Sequence, residues 1–245
     1  MTITKTLTLV DAPEPPVDPR VGTFLTVEVP AEGPLEFGFC NGSRPRSETK
    51  PMSVDWGDGN IESVSSLLKL VHGYEKSGTY TIYIDDNLWR FAVSENSDDS
   101  PFRTLYAPMV RKLRVNATRM TTINQYAFAG ATGLADVDIE ESVVSTIGAY
   151  AFQGCLALRG FAHASAIFML PAGVFKGCAG LSGRIDLPAV SSITEDAQWS
   201  LPFVGCEALA EIHFAKANEG AVRASSAFKA DPRLGAPNAT VVFDL

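Results

Sequence analysis

Ala151-Phe-Gln-Gly-Cys-Leu-Ala-Leu158 is one of five octets that share a register. The others are Ala127-Phe-Ala-Gly-Ala-Thr-Gly-Leu134, Val174-Phe-Lys-Gly-Cys-Ala-Gly-Leu181, Pro202-Phe-Val-Gly-Cys-Glu-Ala-Leu209 and Ala227-Phe-Lys-Ala-Asp-Pro-Arg-Leu234. Their phenylalanines, at 128, 152, 175, 203 and 228, are separated by 24, 23, 28 and 25 residues. Ile123, Ile147 and Leu170 sit five residues before the first three. A short β run follows each closing leucine: Val137-Asp-Ile139, Phe161, Ile185-Asp-Leu187, Ile212-His-Phe214 and Val241-Val-Phe243. A period of this length is one coil of strand, turn and helical return. Phe and Leu at equivalent places then stack into apolar columns that no single coil could bury. The glycine permits a tight bend. Cys155, Cys178 and Cys206 share one place and read as small buried apolar residues. Side chains stacked in parallel point the same way, which disfavours a disulfide, so free thiols are expected.

The pattern IxxxAFxGCxxLxxIxF resembles the BspA-like subclass of leucine-rich repeats over residues 121–245. Lys112-Leu-Arg-Val115 fits as the strand of an incomplete first coil. The fourth unit carries an insertion, Glu195-Asp-Ala-Gln-Trp-Ser200, and the last replaces Gly-Cys with Ala230-Asp231, as a capping unit does. The expectation is a right-handed solenoid over 97–245, its coils starting near 103, with a parallel sheet on one face. The five Phe rings should form one buried column. The resemblance implies a non-enzymatic microbial surface antigen or adhesin, or else a virion component.

Residues 22–96 carry short β runs separated by turns. Leu25, Val27 and Val29 alternate, as do Leu35, Phe37 and Phe39; Val54 and Trp56 precede a Gly-Asp-Gly turn, with Ile61 and Val64 after it. Tyr80, Ile82 and Ile84, then Trp89, Phe91 and Val93, repeat the alternation. Strands with one apolar face need a second sheet, so an antiparallel β-sandwich is expected. Val54-Asp-Trp-Gly-Asp-Gly59, His72-Gly-Tyr74 and Gly78-Thr-Tyr-Thr-Ile82 resemble the PKD immunoglobulin-like domains, without the Phe that those carry after Asp-Trp. Asp55 and Asp58 suit turn capping, and Tyr74 suits a hydroxyl tie across the corner. Residues 1–21 read as a strand and a Pro-rich connector, and Ser94-Glu-Asn-Ser-Asp-Asp-Ser-Pro101 as the boundary before the solenoid. The fold class is therefore mainly β: domains at 1–21, 22–96 and 97–245.

Composition narrows the partners. The 245 residues are 46% hydrophobic and 20% charged, with a formal net charge of −8. An acidic chain whose densest basic group is Arg111, Lys112 and Arg114 is a poor nucleic-acid binder, and that group reads as a solvated strand edge. No run of about 18 apolar residues predicts a membrane span. The first ten residues alternate instead of forming a signal peptide, so either the chain is not exported by that route or the sequence is trimmed.

No catalytic set, cofactor fingerprint or metal-ligand spacing is present. His72 reads as structural, His163 joins no motif, and Asp55, Asp58, Asp85 and Asp86 read as turn caps rather than a calcium cage. Binding is left. Between inward strand residues a side chain points out. That selects Arg114, Asp138, Asp186 and His213 as one exposed column, for a protein or glycan ligand. Trp199, in the insertion, either extends this surface or folds back on the repeat flank. Three functions remain open: an adhesion module, a phage or other virion structural component, and a hydrolase without a known motif.

Overall fold

The computed structural model describes residues 20–41, 51–64, 69–86, 88, 90–93, 102–139, 143–162, 165–194 and 200–245. The strand expected at 1–10, the connector, the boundary at 94–101, Trp89, His163 and residues 195–199 with Trp199 lie outside the described residues. The secondary structure is mainly β, with few helices.

The N-terminal half contributes β1 (Gly22–Val29), β2 (Glu36–Asn41), β3 (Met52–Asp55), β4 (Ile61–Val64), β5 (Lys69–Gly73), β6 (Gly78–Asp85) and β7 (Arg90–Ala92). Antiparallel pairing joins β1 to β6, β6 to β3 and β3 to β4, and separately β2 to β5 and β7. Alternation aims Leu25, Val27, Val54, Ile82 and Ile84 of the first set and Phe37, Phe39, Leu70 and Phe91 of the second into one core. Trp56 lies within it, stacked on His72 at 4.7 Å and tilted against Phe39 at 5.7 Å. β5 was not anticipated, because one of its two inward residues is His72. Ile61, read as an apolar strand residue, is 69% exposed: β4 is the edge of its sheet.

The repeat half alternates longer and shorter strands: β8 (Val110–Asn116), β9 (Thr122–Ile123), β10 (Asp136–Asp138), β11 (Thr146–Ile147), β12 (Gly160–Ala162), β13 (Met169–Leu170), β14 (Gly183–Leu187), β15 (Ser192–Ile193), β16 (Leu209–Phe214) and β17 (Thr240–Phe243). The longer ones pair in parallel as β8-β10-β12 and β14-β16-β17, the shorter as β9-β11 and β13-β15. Two short helices, α1 (Glu219–Ala224) and α2 (Ser226–Ala230), precede β17.

The octet is the joint between units. Phe128, Phe152, Phe175 and Phe203 stack at 5.5, 5.7 and 5.4 Å, within 12° of parallel. The N–H of Phe128, Phe152 and Phe175 donates to Ala151, Val174 and Pro202 of the next unit at 2.7–2.9 Å. Gly130, Gly154, Gly177 and Gly205 hold φ between +72° and +81°, the left-handed bend that the glycine was expected to permit. The three cysteines are free and buried. They are more than apolar filler: each thiol donates to the Phe carbonyl of the preceding unit, Cys155 to Phe128 at 3.3 Å, Cys178 to Phe152 at 3.0 Å and Cys206 to Phe175 at 3.1 Å. The expected column is one ring too long. Phe228 sits on α2, capped by Ser225, whose Oγ accepts from the Phe228 N–H at 3.2 Å, and its ring meets Phe243 at 6.3 Å instead. The unit that lost Gly-Cys lost the octet turn with it.

The two halves share their sheets. β8 pairs antiparallel with β1, giving a seven-stranded order β12-β10-β8-β1-β6-β3-β4. β9 pairs in parallel with β7, giving β11-β9-β7-β2-β5. Phe91 meets Phe39 at 5.2 Å and Phe128 at 5.7 Å, so rings run unbroken from Trp56 to Phe203. Polar ties cross as well: Tyr106 donates to Glu36 at 2.6 Å, and the Asp86 carboxylate accepts from the N–H of Thr118 at 2.7 Å and of Arg119 at 3.2 Å.

Candidate binding face

Register decides which outward side chains meet. Arg114 on β8 stands opposite Asp138 on β10, and Asp186 on β14 opposite His213 on β16. Between the two pairs lies β12, whose partner to Asp138 is Ala162. The expected column of four is thus two pairs separated by a residue without charge. Arg114 reaches Asp138 at 4.0 Å, and Lys112 reaches Asp136 at 3.3 Å two residues along the same strands. Arg111 joins Glu28 of β1 at 2.8 Å. The basic group is not a sheet edge, as expected, but an internal strand flanked by carboxylates. Exposed pairs of this kind contribute about 0–1 kcal/mol each, so they set charge pattern more than stability.

The Arg114 row continues into the N-terminal half. Arg114 pairs in register with Phe24 of β1, Phe24 with Tyr83 of β6, and Tyr83 with Asp55 of β3. Arg20 lies over the Tyr83 ring at 4.0 Å and bonds Asp55 at 3.2 Å, while Arg114 lies over Phe24 at 5.3 Å. Phe24 is buried although it points outward, because these neighbours cover it. The sequence held a signal for this: with Leu25 and Val27 inward, Phe24 had to be an outward aromatic, and Tyr83 likewise beside Ile82 and Ile84. The layout is a mixed-charge, aromatic-backed strip, and cation–π contacts of about 0.5–1 kcal/mol each hold its arginines in place.

His213 corrects the expectation of a solvent-facing ring. It is 4% exposed. Its Nδ1 lies 2.6 Å from Asp244 and its Nε2 2.9 Å from Glu211. Alternation placed the residue on the outer side of the strand, but the side chains on either side close over it. Burial works to lower its pKa, and the bonds to Asp244 and Glu211 outweigh this, so the value stands above the ordinary 6.5. With both ring nitrogens engaged, His213 ties β16 to the end of the chain and offers no donor to a partner. Asp186 remains exposed, paired with Arg184 at 2.5 Å.

Asp55 and Asp58 cap their turns, accepting from Gly57 N–H and Asn60 N–H at 3.0 Å. Asp85 and Asp86, expected as turn caps, instead accept from distant backbone, Ser53 N–H at 3.0 Å and Thr118 N–H at 2.7 Å, and tie separate segments together. Asp58 also meets His72 Nε2 at 2.8 Å, and the other ring nitrogen faces Glu62 at 3.5 Å. Burial works to raise the Asp58 pKa, but the bonds from His72 and Asn60 leave it below its ordinary value. Among the described residues no group of three or more His, Cys, Asp or Glu side chains could hold a metal ion. Both described histidines bond to carboxylates through both ring nitrogens, His72 to Asp58 and Glu62 and His213 to Asp244 and Glu211.

No curated protein and no solved structure matches the chain. A family model described as the BspA type leucine rich repeat region matches residues 109–231 in six copies. That count agrees with five octets and the incomplete first coil. Half of the chain is covered, its units are built on the shared octet, and the protein belongs to the BspA-type leucine-rich-repeat family.

Proposed function

We propose that the chain is a non-enzymatic protein-binding module of a microbial surface, in which a PKD-like β-sandwich at 22–96 is fused to a BspA-type solenoid at 97–245, and that its role is adhesion. The observation that carries this is the row Asp55–Tyr83–Phe24–Arg114–Asp138, which crosses both halves on one sheet. Arginine and tyrosine dominate the energetics of protein interfaces, and side chains already fixed by neighbours lose little entropy on binding. Asp186 and, from its place in the insertion alone, Trp199 are proposed to extend the surface. The PKD-like reading is supported by Tyr74, whose hydroxyl donates to the Trp56 carbonyl at 3.2 Å across the corner. No helix among the described residues is long and apolar enough to cross a membrane.

The test is binding of the full chain to a panel of purified extracellular-matrix proteins by biolayer interferometry. At least one should bind, at least 10-fold more weakly to Arg114→Glu and equally to Lys229→Glu on α2. Binding that ignores Arg114→Glu, or none across the panel, overturns the proposal.

A further inference from the structure

The turn after β3 and the turn after β5 face one another across an open cleft of about 490 Å³, lined by Asp58, Gly59, Asn60, Glu75, Lys76 and Tyr80. It lies in the N-terminal half, in the turn that follows Asp55 at one end of the Arg114 row, and none of its lining residues belongs to that row.

Asp58, Asn60 and Tyr80 are held in place before any ligand arrives. Asp58 Oδ1 accepts from the Asn60 N–H at 3.0 Å, and its Oδ2 accepts from Asn60 Nδ2 at 3.1 Å and meets His72 at 2.8 Å. The Asn60 amide is thereby oriented, with its oxygen left as an acceptor. Tyr80 stacks on Tyr74 at 4.1 Å and donates its hydroxyl to the Lys76 carbonyl at 2.8 Å. Glu75 and Lys76 are exposed, and among the described residues neither head group forms an ion pair.

The lining narrows the ligand. Three bonds already engage Asp58, so it is poorly placed to coordinate a cation. Asp58, Glu75 and a formal net charge of −8 disfavour an anion. Apart from the Tyr80 ring the lining is polar, which disfavours an apolar molecule. What remains combines an aromatic surface, a strong donor at Lys76 and acceptors at Glu75 and Asn60. A sugar hydroxyl donates and accepts at once, so neighbouring hydroxyls can bridge such a set. The C–H face of a pyranose carries weak positive charge, complementary to the negative face of an aromatic ring.

We propose that this cleft is a saccharide subsite: it takes a neutral pyranose, with the C–H face on Tyr80 and adjacent hydroxyls shared among Lys76, Glu75 and Asn60.

The experiment is a heteronuclear NMR titration of the ¹⁵N-labelled full chain with the methyl glycosides of glucose, galactose, mannose and N-acetylglucosamine. Sorbitol, acyclic, and glucuronate, anionic, are the controls. At least one pyranoside should shift the amides of Asn60, Glu75, Lys76 and Tyr80 and saturate in the millimolar range. Sorbitol and glucuronate should leave them unmoved, and Glu75→Ala, at an exposed position, should weaken binding at least 10-fold. The proposal is overturned if no pyranoside saturates these shifts, if a control reproduces them, or if Glu75→Ala binds as wild type does.

Discussion

Replacing Phe152 with alanine tests the ring column at its centre. The side chain is fully buried, stacks on Phe128 and Phe175 and takes the edge of Phe161 at 5.4 Å. Deleting a buried Phe costs about 3–5 kcal/mol, and the value depends on how far the walls can collapse. Here the walls resist collapse. The backbone on either side is bonded to the neighbouring units, Phe128 N–H to Ala151 and Phe152 N–H to Val174 at 2.7 and 2.9 Å. The loss should therefore fall at about 4–5 kcal/mol. For a chain of this size that lowers the melting temperature by roughly 8–20 °C. Phe228→Ala is the internal comparison. Its ring is 7% exposed and meets Phe243 at 6.3 Å, outside the column, so about 3 kcal/mol or less is expected. Urea unfolding followed by circular dichroism and tryptophan fluorescence reads both, as shifts in midpoint at constant slope. A Phe152→Ala cost below about 2 kcal/mol, or below that of Phe228→Ala, would refute the column as the organising feature.

Native protein at pH 8 should leave Cys155, Cys178 and Cys206 unlabelled by a thiol reagent that reacts fully in urea, since burial pushes the Cys206 thiol up to about 12 and Cys155 well above its ordinary value. His213 titrates above 6.5 when folded, so the stability it contributes is fully present below about pH 6.5 and is lost as pH rises through the raised value. Asp244→Asn should bring the His213 ring protons, followed by NMR, back towards an ordinary titration. Asp58 carries the opposite sign: its contribution is present above its ordinary 3.8 and lost as pH falls through the lower folded value, so the deficit of Asp58→Asn should shrink in acid. Gly173→Ala should cost about 2–4 kcal/mol in urea unfolding, against about 1 for Gly59→Ala. Both have positive φ, but a Cβ on Gly173 meets the Tyr150 ring at 2.3 Å and one on Gly59 meets nothing within 4 Å.

The repeat was legible because its signal is local: one octet recurs at a near-constant spacing, and each Phe and Leu has one place to go. The turn chemistry of Asp55, Asp58 and Tyr74 was legible for the same reason, being set within about 20 residues. The shared sheets were not. β1 meets β8 across some 90 residues of chain, and nothing in Gly22–Val29 distinguishes a strand with one neighbour from a strand with two. Half of the proposed binding row stayed hidden with that pairing, since Phe24 and Arg114 become neighbours only through it. His213 shows a different limit. Alternation gives the side of the strand, but not whether Glu211 and Asp244 are long enough and near enough to cover what stands there.

The pairing of β1 with β8 also bears on what happens when the repeats are separated from the rest. A stack of parallel strands ends in a row of unpaired backbone groups, and such rows recruit strands from other molecules. Here β1 occupies that row along Val110–Asn116, and Phe91 covers the outermost ring of the column at Phe128. A fragment starting at residue 102 would bare both the strand edge and the aromatic face. Its expected outcome in solution is self-association, so the N-terminal half also shields the strand edge and ring that the repeats would otherwise expose.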